Sequence, residues 1–167
     1  MDPRVISSPT ALKQLQGVIA PLGEDAFRYH SDLLPGGTLG GHVRHCIEFY
    51  QALFAGISSG EVNYDARQRN PEIESCPAIA KKTIQHLLSA DWVRIERLPH
   101  DLPLRVRESL EGWQISSLGR ELGFAFSHTI HHLALIGVLL RDNGWGVVSE
   151  VGLAPSTARH FAQQVAD

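Results

Sequence analysis

The sequence predicts an all-α protein: a four-helix bundle with a short irregular hairpin before its last helix. Three observations predict it. Four segments carry apolar residues at helical spacing. Capping residues, prolines and glycines stand where those segments begin and end. Loops of varied length join them, as helices packed around one core require.

Ser8-Pro9 reads as an N-cap with proline at the first helical position, and Leu12, Leu15, Val18, Ile19 and Leu22 keep a helical period until Pro21 ends or kinks the helix. Leu34-Pro35-Gly36-Gly37 is loop punctuation. Thr38 then caps a second helix that runs to about Phe54 and closes at Gly56. Gly40 and Gly41 weaken its first turn, but they let a neighbouring backbone or a ligand come close.

Val62 to Arg69 is a densely charged connector that reads as a solvated loop. Asn70-Pro71-Glu72-Ile73-Glu74 supplies a cap, a proline and two acids for a third helix reaching about Arg97. Ile79, Ile84, Leu87, Leu88 and Val93 are its core positions, with Pro77 tolerated early or delaying the start. His86 on this helix is a lone structural histidine.

Beyond Leu98 the pattern changes. Leu104 to Ile115 alternates, with Gly112 near a turn, which fits the short hairpin. Ser116-Ser117 cap the longest helix, which carries Leu122, Phe126, Leu133, Ile136 and Leu140 and stops at Asn143-Gly144. Trp145 to Pro155 reads as extended, and Ser156 to Val165 as a final short helix.

The chain has 167 residues without a low-complexity tract, enough for one domain, residues 1–167, to bury a core without staples. With 43% hydrophobic and 20% charged residues, disorder is not indicated. A net charge of -3 gives no basic surface for phosphates, so nucleic acid is not an expected partner. Met1-Asp2-Pro3-Arg4 lacks the apolar core of a secretory signal, and no uncharged apolar run spans a bilayer, so no membrane partner and a cytoplasmic location are expected. Cys46 and Cys76 read as reduced thiols. Cys46, beside His45, is a buried core residue on one reading and a thiolate ligand or nucleophile on the other.

The chemistry lies in the histidines. His128 and His132 sit at i and i+4, stacked on one helix face where both reach a single ion. A third ligand comes from the second helix, which offers His42 and His45. Three imidazoles across neighbouring helices make an open, catalytic type of site for zinc, nickel, iron or copper. The competing reading is that these histidines are core residues satisfied by protein partners. His131 lies off the shared face, beside the site or at an interface. Arg120-Glu121 caps or pairs locally. Tyr64, Asp65, Arg67 and Arg69 either edge the pocket and hold an anionic substrate group or lock a loop by ion pairing.

Four segments in order, Gly41-His42-Val43-Arg44-His45, Val62 to Arg69, Ser116 to Glu121, and Ser127-His128-Thr129-Ile130-His131-His132, resemble the DinB-like (YfiT-like) metalloenzyme family over nearly the whole chain. That resemblance implies an up-down-down-up bundle, a homodimer, and a divalent metal ion (zinc, nickel or iron) on His45, His128 and His132, with His42 the alternative to His45. Relatives in that family include bacillithiol and mycothiol S-transferases and the N-terminal domain of iron enzymes of ergothioneine synthesis, a role that needs a second, larger domain. The expected activity is a metal-dependent transferase or hydrolase that activates a thiol or water for attack on a small electrophilic substrate, with a low-molecular-weight thiol as partner. The rival is a non-catalytic metal-binding or stress-associated dimeric interaction protein.

Overall fold

The structure is a computed structural model that describes residues 9–34, 37–109, 112–146, 151–153, 157 and 163. Helix α1 (Thr10–Ile19) buries Ala11, Leu12, Leu15, Val18 and Ile19 along one face. Burying one such branched side chain contributes about 1.5–3 kcal/mol relative to leaving it in water. A single short turn, α2 (Glu24–Phe27), follows and inserts Phe27 into the core. Thr38 caps α3 (Leu39–Gly56), its hydroxyl accepting the Gly41 N–H at 2.9 Å. Opposite the loop, His30 bridges Thr38 in antiparallel fashion.

The expected third helix is broken into pieces. Asn70 caps α4 (Pro71–Ser75), with proline in its first turn. Cys76 is extended, because the ring of Pro77 crowds a helical conformation at the residue before it. Helix α5 (Pro77–His86) then runs into a π-helical turn, Leu87–Asp91, and α6 (Trp92–Ile95). The wider turn rotates the helical face, so Trp92 and Ile95 are buried and Val93, expected in the core, is 44% exposed. His86 lies at the surface near Asp91.

A three-stranded mixed sheet corrects the all-α four-helix-bundle expectation. Strand β2 (Pro103–Arg107) pairs antiparallel with β3 (Gln114–Ser117), Leu104 opposite Ser116 and Val106 opposite Gln114. Strand β1 (Glu61–Asn63), expected as loop, pairs parallel with β2 and sets Val62 opposite Val106. Val62, Leu104 and Val106 are buried. The hairpin alternates in sequence and could be read locally. The parallel strand has one buried apolar residue, and its partner lies far along the chain, so no local period marks it.

Ser117 caps α7 (Leu118–Asp142), which ends at Asn143 with Gly144 left-handed (φ 71). This helix is long and apolar enough to cross a membrane by length and composition, but half of its most apolar stretch is buried inside the protein. It packs on α3 and α1, while α5 packs on α1 and α3. The expected Ser8 cap, the final helix Ser156 to Val165 and most of the extended stretch Trp145 to Pro155 fall outside the described residues.

Candidate metal centre

The packing of α3 against α7 brings His45 together with His128 and His132. One ring nitrogen from each lies within 4.8 Å of the other two. The ring centroids form a nearly equilateral triangle: His45 to His128 is 4.9 Å, and His132 is 4.7 Å from each. Phe49, one turn after His45, stacks on the His128 ring at 4.1 Å and lies against His45 at 4.8 Å, fixing both imidazoles with an apolar wall.

His42, the alternative ligand, lies one turn earlier on α3. Its Nδ1 is 3.0 Å from Nδ1 of His132, so one ring donates and the other accepts. His42 stands outside the three-ligand group. With Gly37, Gly41, Arg44, His45, Glu74 and His132 it lines a cavity of about 240 Å³. The exposed His131 ring meets His132 edge-on at 5.4 Å.

The electrostatics favour neutral imidazoles. Burial first, then the His128, Arg67, Arg44 and His42 charges, pushes His45 down to about 4. His128 is pushed down to about 4 by burial, then by His131 and Arg67. His132 is pushed down to about 3 by burial, then by His128 and the other three histidines. His42 is lowered by burial and by His131. Metals bind deprotonated imidazole. Nε2 of His128 is buried and has no hydrogen-bonding partner among the described residues, an arrangement that normally costs about 1–3 kcal/mol. The three residues fit a metal ion by donor type, protonation and orphaned nitrogen.

Two buried carboxylates stand behind this centre. Glu48 on α3 accepts the Asn70 backbone N–H at 2.7 Å and faces Arg44 Nε at 3.9 Å, while Arg44 also pairs with Glu74. Glu121 on α7, with 0% exposure, accepts from Tyr64 (2.8 Å), Ser116 (2.5 Å) and Arg120 (2.9 Å). Burial, with Glu121 alongside, raises the Tyr64 phenol far above its usual range and keeps it a proton donor. Arg120-Glu121 does pair, as sequence suggested, but the full burial of that carboxylate has no sequence signal. Cys46 is fully buried and its thiol is pushed up to about 12 by burial, so it packs the core as a neutral thiol.

The connector after β1 divides by residue. Asp65 accepts the Ser109 N–H (3.0 Å) and lies 3.8 Å from Arg107, which ties the turn Tyr64–Ala66 to the end of β2. Arg69 adopts a left-handed backbone (φ 50). Arg67 instead lies over the ring of Phe49, its guanidinium carbon 4.3 Å from the centroid.

No protein-family model matches the chain, and no solved structure matches it. It is similar to a protein of Rhizopus delemar named FK506-binding protein 5, at 35% identity over 109 residues that make up 62% of this chain. The match spans 28% of that protein's length. That relative carries another family's name, and the mixed sheet departs from a helical bundle. The DinB-like four-helix-bundle and S-transferase reading is accordingly set aside. The histidine geometry does not depend on it.

Proposed function

We propose that the protein is a metal-dependent enzyme acting on a small electrophilic molecule, with a divalent ion held by His45, His128 and His132 and water as the nucleophile. The reading is carried by one observation: three neutral imidazoles from two packed helices converge, and one of them buries a nitrogen with no protein partner. A divalent ion in such a site supplies Lewis acidity and a more acidic water.

The chain's own groups do the rest. Phe49 orients two of the imidazoles and excludes bulk water from one side. The hydrogen bond between the Nδ1 atoms of His42 and His132 fixes the ring plane of His132, the role usually played by groups behind a ligand. At about 240 Å³ the cavity beside His45 and His132 falls short of the roughly 300–1,000 Å³ of drug-sized pockets, so it suits a molecule smaller than those. An access route of this kind favours catalysis over the non-catalytic metal-binding or interaction protein. A small soluble substrate suits a cytoplasmic enzyme. The ligand in the relative's name belongs to a protein of which 28% is matched, and it stays with that protein.

The test is elemental analysis of untagged, chelator-free protein together with the His45→Ala and His128→Ala variants. Near-stoichiometric metal in the wild type and its loss in both variants is the expected result. A wild type that takes up no zinc, nickel or iron on incubation overturns the proposal.

A further inference from the structure

His128 is held differently from His132. The bond to His42 fixes the ring plane of His132, whereas Nε2 of His128 has no partner among the described residues. Aromatic rings hold His128 instead. Phe49 stacks on it at 4.1 Å with 27° between the planes, and Phe124 flanks it at 5.6 Å. Phe49 also stacks on Tyr64, at 4.8 Å with the planes 19° apart. It is thus the ring common to two near-parallel pairs, and stacking of this kind opposes rotation of either neighbour.

Tyr64 is 1% exposed, too deep to hold a substrate group, and its position is fixed from α7. Its hydroxyl donates to Oε2 of Glu121 at 2.8 Å, while Oε1 accepts from Ser116 and Arg120. A fully buried carboxylate is tolerable only with its oxygens engaged, so Glu121 is fixed by its donors and in turn fixes Tyr64. Glu121 and His128 lie on the same helix, about two turns apart. The contacts therefore close a circuit: Glu121 to Tyr64, Tyr64 to Phe49, Phe49 to His128, and back along α7. Arg67, beside the turn that carries Tyr64, lies over Phe49 as well, so the connector is keyed to that ring.

We infer that Tyr64 is a positioning residue of the histidine centre: moored to Glu121, its ring backs Phe49 and so sets the plane in which His128 meets a metal ion. This rests on the proposed metal-binding role of the three histidines. It gives a role in the site to a buried acid and a buried phenol that do not line the cavity beside His45 and His132.

The test follows the His128 imidazole protons by NMR in the metal-free full chain at neutral pH, assigned by their loss in His128→Ala. Zinc affinity is measured in parallel by competition with a chelator. The ring current of Phe49 holds those protons upfield in the wild type. In Tyr64→Leu they are expected to move toward the positions of an unstacked imidazole, and zinc affinity to fall roughly tenfold or more, the scale on which groups behind a ligand act. Tyr64→Phe keeps the ring but loses its tie to Glu121, and both readouts are expected to change in the same sense by less. A purely structural Tyr64 would lower the unfolding midpoint and leave both readouts of the folded variants in place. That result in both variants, or in Tyr64→Phe alone where Tyr64→Leu does not fold, overturns the inference, as does a shift of the resonances with zinc affinity unchanged. A wild type that binds no zinc overturns the metal reading instead, and the resonances then still decide whether Tyr64 sets the His128 ring.

Discussion

Gly40→Ala is the most informative single change to the scaffold. Gly40 lies in the first turn of α3, and a Cβ built there would sit 1.9 Å from the Glu74 carbonyl oxygen, 2.9 Å from its carbonyl carbon and 2.9 Å from a Phe27 ring carbon. Comfortable carbon contacts need about 3.5 Å, so α4 must retreat from α3 by more than an ångström. The obstacle is backbone and cannot rotate aside. Overpacking of this kind costs about 1–3 kcal/mol, and a rigid obstacle places it at the upper end. Replacing glycine returns up to about 1 kcal/mol of helix propensity, less in a first turn. The net expectation is a loss of about 2 kcal/mol, or roughly 4–8 °C in Tm for a chain of this size. Gly123→Ala is the control, because α7 leaves open space there, and it should gain about 0.5–1 kcal/mol. Urea unfolding of both variants beside the wild type reads the difference. If Gly40→Ala matches the wild type in midpoint and slope, the close approach of α4 to α3 is wrong.

Two further outcomes follow from the buried polar groups. The imidazoles of His45, His128 and His132 are held down to about 4, 4 and 3, while an unfolded histidine titrates near 6.5. In that window the unfolded chain binds more protons, so metal-free protein loses stability as pH falls from about 6.5 toward 4 and loses little more below, whereas above 6.5 these groups contribute no slope; denaturant midpoints at pH 7.5, 6 and 5 measure it, and a flat profile contradicts the buried neutral histidines. Tyr64→Phe removes one of three donors from a fully buried carboxylate and should cost about 1.5–3 kcal/mol in urea unfolding; an unchanged midpoint would mean that the bond from Tyr64 to Glu121 is not made.

The histidine geometry was largely legible because it depends on helical periodicity. An i,i+4 pair on α7 places His128 and His132 on one face, and the apolar stripe on α3 turns its two histidines, His42 and His45, toward them without choosing between the two. The caps at Thr38, Asn70 and Ser117 were equally visible, since each is a short polar residue ahead of an apolar run. The bond between His42 and His132 was not, because the choice between two histidines one turn apart depends on how far α3 slides along α7. Nor was the π-helical turn, which widens the helix within a run of good helix formers and so turns Val93 outward. Strand β1 escaped for a different reason. Three residues with one buried side chain carry no period, and their pairing is decided by residues beyond the whole of α4, α5 and α6.

That parallel pairing also bears on the order in which the protein is assembled. The β2–β3 hairpin and the helices close over short stretches of chain, but β1 can join β2 only after the intervening helices have been gathered, at a loop-closure entropy the earlier steps do not carry. The turn that holds Tyr64 and Arg67 leaves directly from β1. α3 meets α7 across a longer stretch of chain than β1 meets β2, so by the same criterion the connector can dock before the three imidazoles converge, and the site would be completed last by the closing of α7 onto a wall already in place.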